Sequence, residues 1–349
     1  MNGINAIDLF CGVGGLTHGL VKAHVNVVAG LDIDPACAYP YCENNSAKFI
    51  QRDITSLESS ELEELFPRDG LKLLAGCAPC QPFSTYSRPG GKRRRSDDDW
   101  SLLRSFGRLI REVGPDLVTM ENVPQLVDHE IFGEFLVELD GYSVTWSIVE
   151  CAEFGVPQTR KRLVLLASRF GDDQLKLPPS RRHRKTVRET IGSLPAIEAG
   201  GVSESDPLHM ASRLSDLNMR RIRASRPGGT WRDWPTELLA TCHTRPTGDT
   251  YPSVYGRMSW DESAPTITTQ CFGYGNGRFG HPDQDRAISL REAAMLQTFP
   301  RTYAFAPPGS KIRFNRMGRL IGNAVPVRLG EAIGKALNRH VKAYKQAVA

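Results

Sequence analysis

The run Leu71-Lys72-Leu73-Leu74-Ala75-Gly76-Cys77-Ala78-Pro79-Cys80-Gln81-Pro82-Phe83-Ser84 decides the reading of this chain. Its first part, Leu71 to Ala75, reads as a short buried strand. Pro79 and Pro82 then fix φ on either side of Cys80 and remove local backbone donors, so the turn is stiff. A strand ending in such a turn places a thiol at the carboxyl edge of a sheet, where open α/β folds hold their ligands. Stiffness suits a nucleophile that must meet its target in one orientation. Cys77-x-x-Cys80 also has the spacing of half a zinc site or of a redox pair, and a buried structural thiol is a further alternative. No second Cys-x-x-Cys or His-x-x-x-His follows at zinc spacing, so a closed tetrahedral site lacks ligands and no metal is expected.

Outward from this turn, short apolar runs alternate with helical patterns. Ile4 to Phe10, Val25 to Leu31, Leu71 to Ala75, Leu117 to Met120, Ser143 to Val149 and Arg162 to Ala167 read as strands. Leu16 to Ala23, Pro35 to Asn44, Ser60 to Phe66, Ser101 to Val113 and Ile131 to Leu139 read as the helices between them. That order predicts an α/β fold with a doubly wound, mostly parallel sheet. From about residue 171 the texture changes to Gly, Pro, Ser, Thr and Arg without a long periodic segment. Helical periodicity returns at Ser289 to Gln297 and at Val327 to Tyr344. The expected division is a large domain of residues 1–180 completed by 286–349, with a smaller loop-rich domain at 181–285 carrying exposed recognition loops.

The chain has 349 residues, 40% of them apolar and 24% charged, as in an ordinary globular protein with a sizeable core. No apolar run approaches the ~20 residues of a membrane span, and the amino terminus shows no secretory pattern. Eight scattered cysteines form no secreted disulfide framework, so a reducing cytoplasm is expected. Net charge is +5, which permits nucleic-acid binding without requiring it. Its distribution says more. Lys92 to Arg95 lie in a Gly/Pro-flanked loop, Arg181, Arg182, Arg184, Lys185 and Arg188 fall together, and Arg213, Arg220, Arg221, Arg223, Arg226 and Arg232 follow near Trp231 and Trp234. Basic runs are commonly solvated faces, but so many clusters tilt the set towards a phosphate backbone.

Three acidic residues end successive strands. Asp8-Leu9-Phe10-Cys11-Gly12-Val13-Gly14-Gly15 closes the first, and its glycines let a ligand approach the backbone beside a helix start. Asp32 closes the second, 20 positions beyond Gly12, where a carboxylate can hold ribose hydroxyls. Asp53 follows a third short strand and suits an exocyclic amine. Together they suggest an adenosine-type cofactor. Glu121 closes a further strand on the same rim as Cys80, as a general acid/base group or as half of an ion pair. Arg160 and Arg162 enter the next strand, with side chains on one face; there they would lower a thiol pKa and orient an electron-poor substrate, or else pair at the surface.

Taken in order, these motifs resemble those of the bacterial-type DNA (cytosine-5) methyltransferases. The matching residues are Asp8 to Gly15, Pro79-Cys80-Gln81, Glu121-Asn122-Val123, Gln158-x-Arg160-x-Arg162, Arg291-Glu292-Ala293-Ala294 and Gly322-Asn323-Ala324-Val325-Pro326. The resemblance spans nearly the whole chain except about 171–285. It implies a Rossmann-like fold, S-adenosylmethionine as cofactor (S-adenosylhomocysteine as product) and cytosine in double-stranded DNA as substrate. By the same resemblance Cys80 adds to carbon 6 of the ring, Glu121 holds ring nitrogen 3 and the exocyclic amine, Arg162 binds the carbonyl oxygen and Arg160 supports that pocket. Phe10, Gly12, Gly14, Asp32, Ile33, Asp53, Ile54, Asn323 and Val325 would frame the cofactor. Ser84 to Trp100, with Gln81 just before it, would close over a flipped base; Gln81, Ser84, Ser87 and Arg93 are its expected DNA contacts. Arg245, Arg257 and Arg278 lie among Gly, Pro and Thr, as loop-borne base readers or phosphate contacts would.

The implied setting is a bacterial or archaeal cytoplasm at the nucleoid, in restriction-modification or host protection, as a monomer with a restriction enzyme as genetic partner. One branch of the family methylates transfer RNA with the same residues, but 126 residues between Arg162 and Ser289 are ample for reading a duplex. An inactive DNA-binding regulator is the third reading. Cys80, Glu121 and Arg162 together argue against it.

Overall fold

The computed structural model describes residues 3–79, 100–172, 174–179, 183–245, 248 and 252–348. The chain divides into two compact units, the first made of Met1–Glu150, Lys161–Ser180 and Val325–Ala349, the second of Cys151–Arg160 and Arg181–Ala324. The second unit is larger than the expected 181–285, because residues 151–160 and 286–324 pack within it.

The first unit is built on seven strands: β1 (Ile4–Leu9), β2 (Asn26–Asp32), β3 (Lys48–Gln51), β4 (Leu71–Gly76), β5 (Leu117–Asn122), β6 (Ser143–Glu150) and, after the short β7 (Gln158–Thr159) of the second unit, β8 (Lys161–Ser168). Their order is β3-β2-β1-β4-β5-β8-β6. The first five are mutually parallel, and β8 runs antiparallel to both β5 and β6. Every residue of β1 and of β5 is buried, as central strands covered on both faces must be. Leu9 lies opposite Leu31 and Gly76, and Gly76 opposite Met120, so β1, β2, β4 and β5 end along one rim. Because β8 is reversed, it begins where β5 ends: Asn122 pairs with Leu163 and Glu121 with Val164. The hairpin thus delivers Arg162 to the rim at which the parallel strands finish. A mostly parallel sheet is what the alternation predicted; the reversed strand is the part that alternation alone does not reveal.

The helices of this unit are α1 (Gly15–Lys22), α2 (Ala38–Asn44), α3 (Ser59–Leu65), α4 (Ser101–Val113) and α5 (Glu130–Val137), with α10 (Val327–Ala347) returning from the carboxyl end. Leu103, Phe106, Leu109, Ile110 and Val113 form a buried stripe on α4 at helical spacing. They join Ile7, Leu9, Leu31, Leu62 and Phe135 in the main core. α1 packs on α10. A side chain at Gly19 would strike the backbone of Val327, Gly330 and Glu331, so that contact requires glycine.

The second unit holds α6 (Val187–Ile191), α7 (Asp216–Ala224), α8 (Leu290–Leu296) and α9 (Phe314–Asn323), with β7 pairing in parallel with β9 (Ala264–Pro265). α9 was not expected: Gly318 and Gly322 interrupt its pattern, and Arg313 at its N-cap makes no side-chain cap. The two glycines are there for packing, because a Cβ would enter the ring of Phe272 at Gly318 and the backbone of Thr268 at Gly322. Buried polar groups organise this unit. Arg286, wholly buried, reaches both oxygens of Glu292 at 2.7 and 2.8 Å, and Arg291 reaches both oxygens of Asp206 at 2.6 and 3.1 Å. Among the described residues no helix is long and apolar enough to cross a membrane.

Candidate active site

On the first unit, three successive strand ends carry the acidic residues. The chain after β1 passes through Phe10 and Gly12 with φ of 58° and 52°, and α1 starts beyond Gly14 at 87°. A Cβ at Gly12 would meet nothing within 4 Å, so the space before this turn is open. Asp32 fixes the turn from β2: its Oδ2 accepts from the Gly12 amide and its Oδ1 from the Asp34 amide, both at 2.9 Å. Burial pushes the Asp32 carboxyl up, against those two amides. Beside it Ile33 is 63% exposed. Asp53 is exposed, and the amide and hydroxyl of Thr55 hold its carboxyl below the usual range. These positions suit an adenosine moiety: paired hydroxyls on an aspartate, a bare apolar side chain for a ring face, a glycine turn open to approach. Ile54 departs from expectation, since it is buried in the core and offers no side chain there. Val325 is buried in the first unit, whereas Asn323 is an exposed residue of the second.

Asp8, the first of the series, faces inward. Thr17 Oγ1 donates to its Oδ2 at 2.6 Å and lies 3.0 Å from the Tyr41 hydroxyl. Burial raises the Asp8 carboxyl to about 7, Thr17 opposing and the charge of Asp32 adding to it. Nothing in the sequence points to this network, because Thr17 and Tyr41 look like ordinary helix residues.

Cys80 follows β4, four residues beyond Gly76; together with Gln81, Ser84, Ser87 and Arg93 it lies outside the described residues. Its approach is described. Asn122, at the end of β5, donates from Nδ2 to the Ala78 carbonyl at 3.1 Å and accepts the Val123 amide at 2.8 Å. This buried amide therefore ties the chain two residues before Cys80 to the strand that carries Glu121. Burial and the nearby Glu121 charge push the Cys77 thiol well above the ordinary thiol range. Among the described residues no three His, Cys, Asp or Glu side chains gather as a metal site.

Glu121 and Arg162 meet at the rim, Nε to Oε1 at 2.9 Å, with only 8% and 13% of their side chains exposed. No well-aligned hydrogen bond reaches that buried Glu121 oxygen from the described residues. The pair is held by charge in a place that excludes water, with the Arg162 contact on Oε1 not aligned as a hydrogen bond.

The second unit accounts for the remaining candidates. Arg160 lies between β7 and β8, so it does not share a strand face with Arg162 as expected; it is buried and donates to the Ile267 carbonyl at 2.8 Å. Gln158, named in the motif but given no role there, is wholly buried and joins three segments: it accepts the Ile267 amide and donates to Leu296 O and Gln297 Oε1, each at 2.9 Å. Gln297 in turn donates to the carbonyls of Ile321, Gly322 and Ala324. Arg257 is a correction. It is 5% exposed, and its nitrogens engage the carbonyls of Ile222, Ser225, His281 and Gln284 and the carboxylate of Asp285, so it is a scaffold residue rather than a DNA contact. Arg245 is exposed, and Arg278 is half-buried with no hydrogen bond to its Nε.

Comparison with known proteins agrees with this geometry. The sequence matches the C-5 cytosine-specific DNA methylase family over residues 4–339. It is 53% identical over 343 residues to the Type II methylase M.HgiDII of Herpetosiphon aurantiacus, covering 96% of this chain and 95% of that one. It is 31% identical to the Type II methyltransferase M1.HphI of Haemophilus parahaemolyticus, over 95% of this chain and 86% of that one. Its fold is similar to that of Spodoptera frugiperda DNMT2, with a TM-score of 0.65 at 16% identity over 96% of this chain and 100% of that one. The order of motifs, the sheet with its reversed strand and the family match agree: the chain belongs to the C-5 cytosine-specific DNA methylases and is a DNA (cytosine-5)-methyltransferase.

Proposed function

We propose that this enzyme takes a cytosine swung out of duplex DNA and methylates its carbon 5 through a transient bond from Cys80 to carbon 6. The observation that carries the reading is the buried Glu121–Arg162 pair, whose carboxylate keeps an oxygen without an aligned donor. A cytosine inside a duplex is stacked and out of reach of any side chain, so extrusion is physically required. In the extruded base the exocyclic amine donates to Glu121, and a proton shared between that carboxyl and ring nitrogen 3 neutralises charge as it develops. Arg162 donates to the ring carbonyl oxygen. The Cys80 thiolate adds to carbon 6, and the electron pair so displaced makes carbon 5 nucleophilic. S-adenosylmethionine, when bound, supplies the electrophilic methyl group; Asp32, Ile33, Asp53 and the Phe10–Gly14 turn are the residues that would hold it. Loss of the carbon 5 proton then expels Cys80 and restores the double bond. Asn122, through Ala78, holds the approach to Cys80 against β5.

The loop carrying Gln81, Ser84, Ser87 and Arg93 closes on the DNA in this reading, with Arg245 and Arg278 as contacts from the second unit. A restriction-modification setting in a bacterial cytoplasm follows from the same reading. The decisive experiment compares Cys80→Ala with Cys77→Ala. The first should abolish transfer from radiolabelled cofactor to duplex DNA while leaving cofactor binding intact, and the second should be mild. Duplex DNA with fluorine at carbon 5 of the target cytosine should remain covalently attached to the wild-type chain. Equal loss in both variants, or preference for bulk transfer RNA over duplex DNA, would refute the proposal.

A further inference from the structure

From Ala293 to Gly330 the chain contains no Asp or Glu and six basic side chains, Arg301, Lys311, Arg313, Arg316, Arg319 and Arg328. Five of these belong to the second unit, four of them in or just before α9. Elsewhere in that unit Arg188 pairs with Asp261, Arg223 with Asp285 and Arg226 with Asp233, while Arg184, Arg213 and Arg220 are exposed in separate parts of the chain. Lys311, Arg313 and Arg319 are exposed and make no side-chain hydrogen bond or ion pair with any described residue. Unpaired like charges so close together repel, and a chain whose whole net charge is only +5 has no electrostatic reason to gather them on one segment.

The helix that carries Arg319, and that the segment with Lys311 and Arg313 enters, is firmly seated. Met317, Gly318, Leu320 and Ile321 are buried, Phe314 meets Phe272 edge-on at 5.1 Å, and Gly322 lies directly on the Thr268 backbone. Arg316, Arg319 and Asn323 recur at i, i+3 and i+7, so they share one side of α9, with Lys311 and Arg313 leading into it. Arg319 thus stands on a firmly packed helix, with Lys311 and Arg313 in the segment leading into it, a run of cations complementary to phosphates.

We propose that Lys311, Arg313 and Arg319 form a sequence-independent contact surface for the phosphate backbone of duplex DNA. This rests on the reading of the chain as an enzyme acting on duplex DNA, and extends it. The α9 face fixes position on the duplex and carries affinity, while base edges are read by other residues.

The test uses the full chain and 30-base-pair duplexes of several unrelated sequences, with binding followed from about 50 to about 200 mM KCl. Each phosphate contact contributes about 0.9 to the slope of log affinity against log salt. Lys311→Gln/Arg313→Gln/Arg319→Gln should therefore lower that slope by about 2 to 3. Every duplex should be weakened alike, with S-adenosylmethionine affinity and melting temperature unchanged. Arg319→Gln alone should lower the slope by about 0.9, and Arg319→Lys should keep it. An unchanged slope in the triple variant, while the wild-type chain binds duplexes, overturns the proposal. So does wild-type binding to anionic phosphatidylglycerol vesicles as tight as to duplexes, which would mark a general anion surface. Failure of the wild-type chain to bind any duplex would instead defeat the functional reading beneath it.

Discussion

Two buried arginine–carboxylate pairs, one in each unit, have the same chemistry and opposite environments. Arg286 and Glu292 are 0% and 1% exposed; Arg286 reaches both carboxylate oxygens, and the Ser289 amide adds a third bond. Burial pushes Glu292 up, but the Arg286 fork and charge outweigh it and hold the carboxyl below its ordinary value. Arg162 and Glu121 are slightly more open, meet through one nitrogen, and leave an oxygen without an aligned donor among the described residues. A pair with both carboxylate oxygens hydrogen-bonded fixes a structure. We read a pair left incomplete at the end of a central strand as holding a place for a ligand. Breaking the first should cost stability; altering the second should cost rate.

The largest effect is expected at the complete pair. Glu292→Gln leaves the Arg286 charge buried without a counter-ion, a change worth about 3 to 5 kcal/mol. Thermal melting should fall steeply, and substituting both partners by apolar residues should recover part of the loss. Retained melting in Glu292→Gln would show that water or rearrangement completes the site. Acid should separate the two units in the same way. Burial lowers the neighbouring His281 from 6.5 to about 4, so the stability its neutral ring contributes is present above pH 6.5 and lost as pH falls towards 4. Asp8 has the opposite sign: raised from 3.8 to about 7, it contributes stability below pH 3.8 that is lost as pH rises through 7. Between pH 6.5 and 4, amide exchange should speed up around 281–292 and slow around β1 and α1. Asp8→Asn and His281→Asn should each flatten its own trend.

At the incomplete pair, Glu121→Gln keeps shape and hydrogen bonding but removes the negative charge. Single-turnover rates should fall roughly a hundredfold or more, as for a general acid/base group, with melting unchanged. A rate within a few-fold of wild type would make Glu121 a structural carboxylate and erase the contrast.

The same distinction explains what the sequence could and could not reveal. Strand ends are legible because a short apolar run followed by Gly, Pro or Asp has few other readings, and so Asp32, Glu121 and the Cys80 turn were placed on one rim from residues alone. Arg257 was misread because its surroundings, Tyr255-Gly256 before and Met258-Ser259 after, look like exposed loop. Its burial depends on carbonyls 24 to 35 positions away. Arg160 was misread because it falls in the break between β7, which ends at Thr159, and β8, which begins at Lys161. α9 and the boundary near residue 324 escaped because packing against Phe272 and Thr268, rather than periodicity, makes glycine tolerable in that helix. Motif order speaks for the chemistry, whereas burial of long polar side chains is a tertiary property.

Arg257 and Arg278 extend the comparison to arginines 21 positions apart in the second unit. Arg257→Ala should lower melting without shifting sequence preference, since five protein acceptors lose their donor. Arg278→Ala should leave melting in place and weaken discrimination at one base position by about 1 to 3 kcal/mol, if it reads guanine. A library of duplexes altered one base at a time measures this directly. Uniform weakening would make Arg278 a phosphate contact.

The smallest effect is expected at Asn122, and it tests whether the incomplete pair acts together with the Cys80 turn. Asn122 bridges Ala78 O and Val123 N, so its removal alters position rather than chemistry. One buried neutral hydrogen bond is worth about 1 kcal/mol, with the orphaned carbonyl adding about 1 to 3 when it finds no other donor. The Ala78 carbonyl lies on an irregular segment just past β4 and can find one, so Asn122→Ala should slow the single-turnover rate by about tenfold or less. Because Cys80 would approach carbon 6 less often in the right orientation, capture by fluorinated DNA should slow in the same proportion, while cofactor affinity stays constant. Asn122→Asp keeps the acceptor for Val123 but loses the donor to Ala78, and should match Asn122→Ala if the Ala78 contact is what matters. A normal capture rate in Asn122→Asp together with a slow one in Asn122→Ala would shift the role to Val123. The tether would then serve the end of β5 rather than the nucleophile.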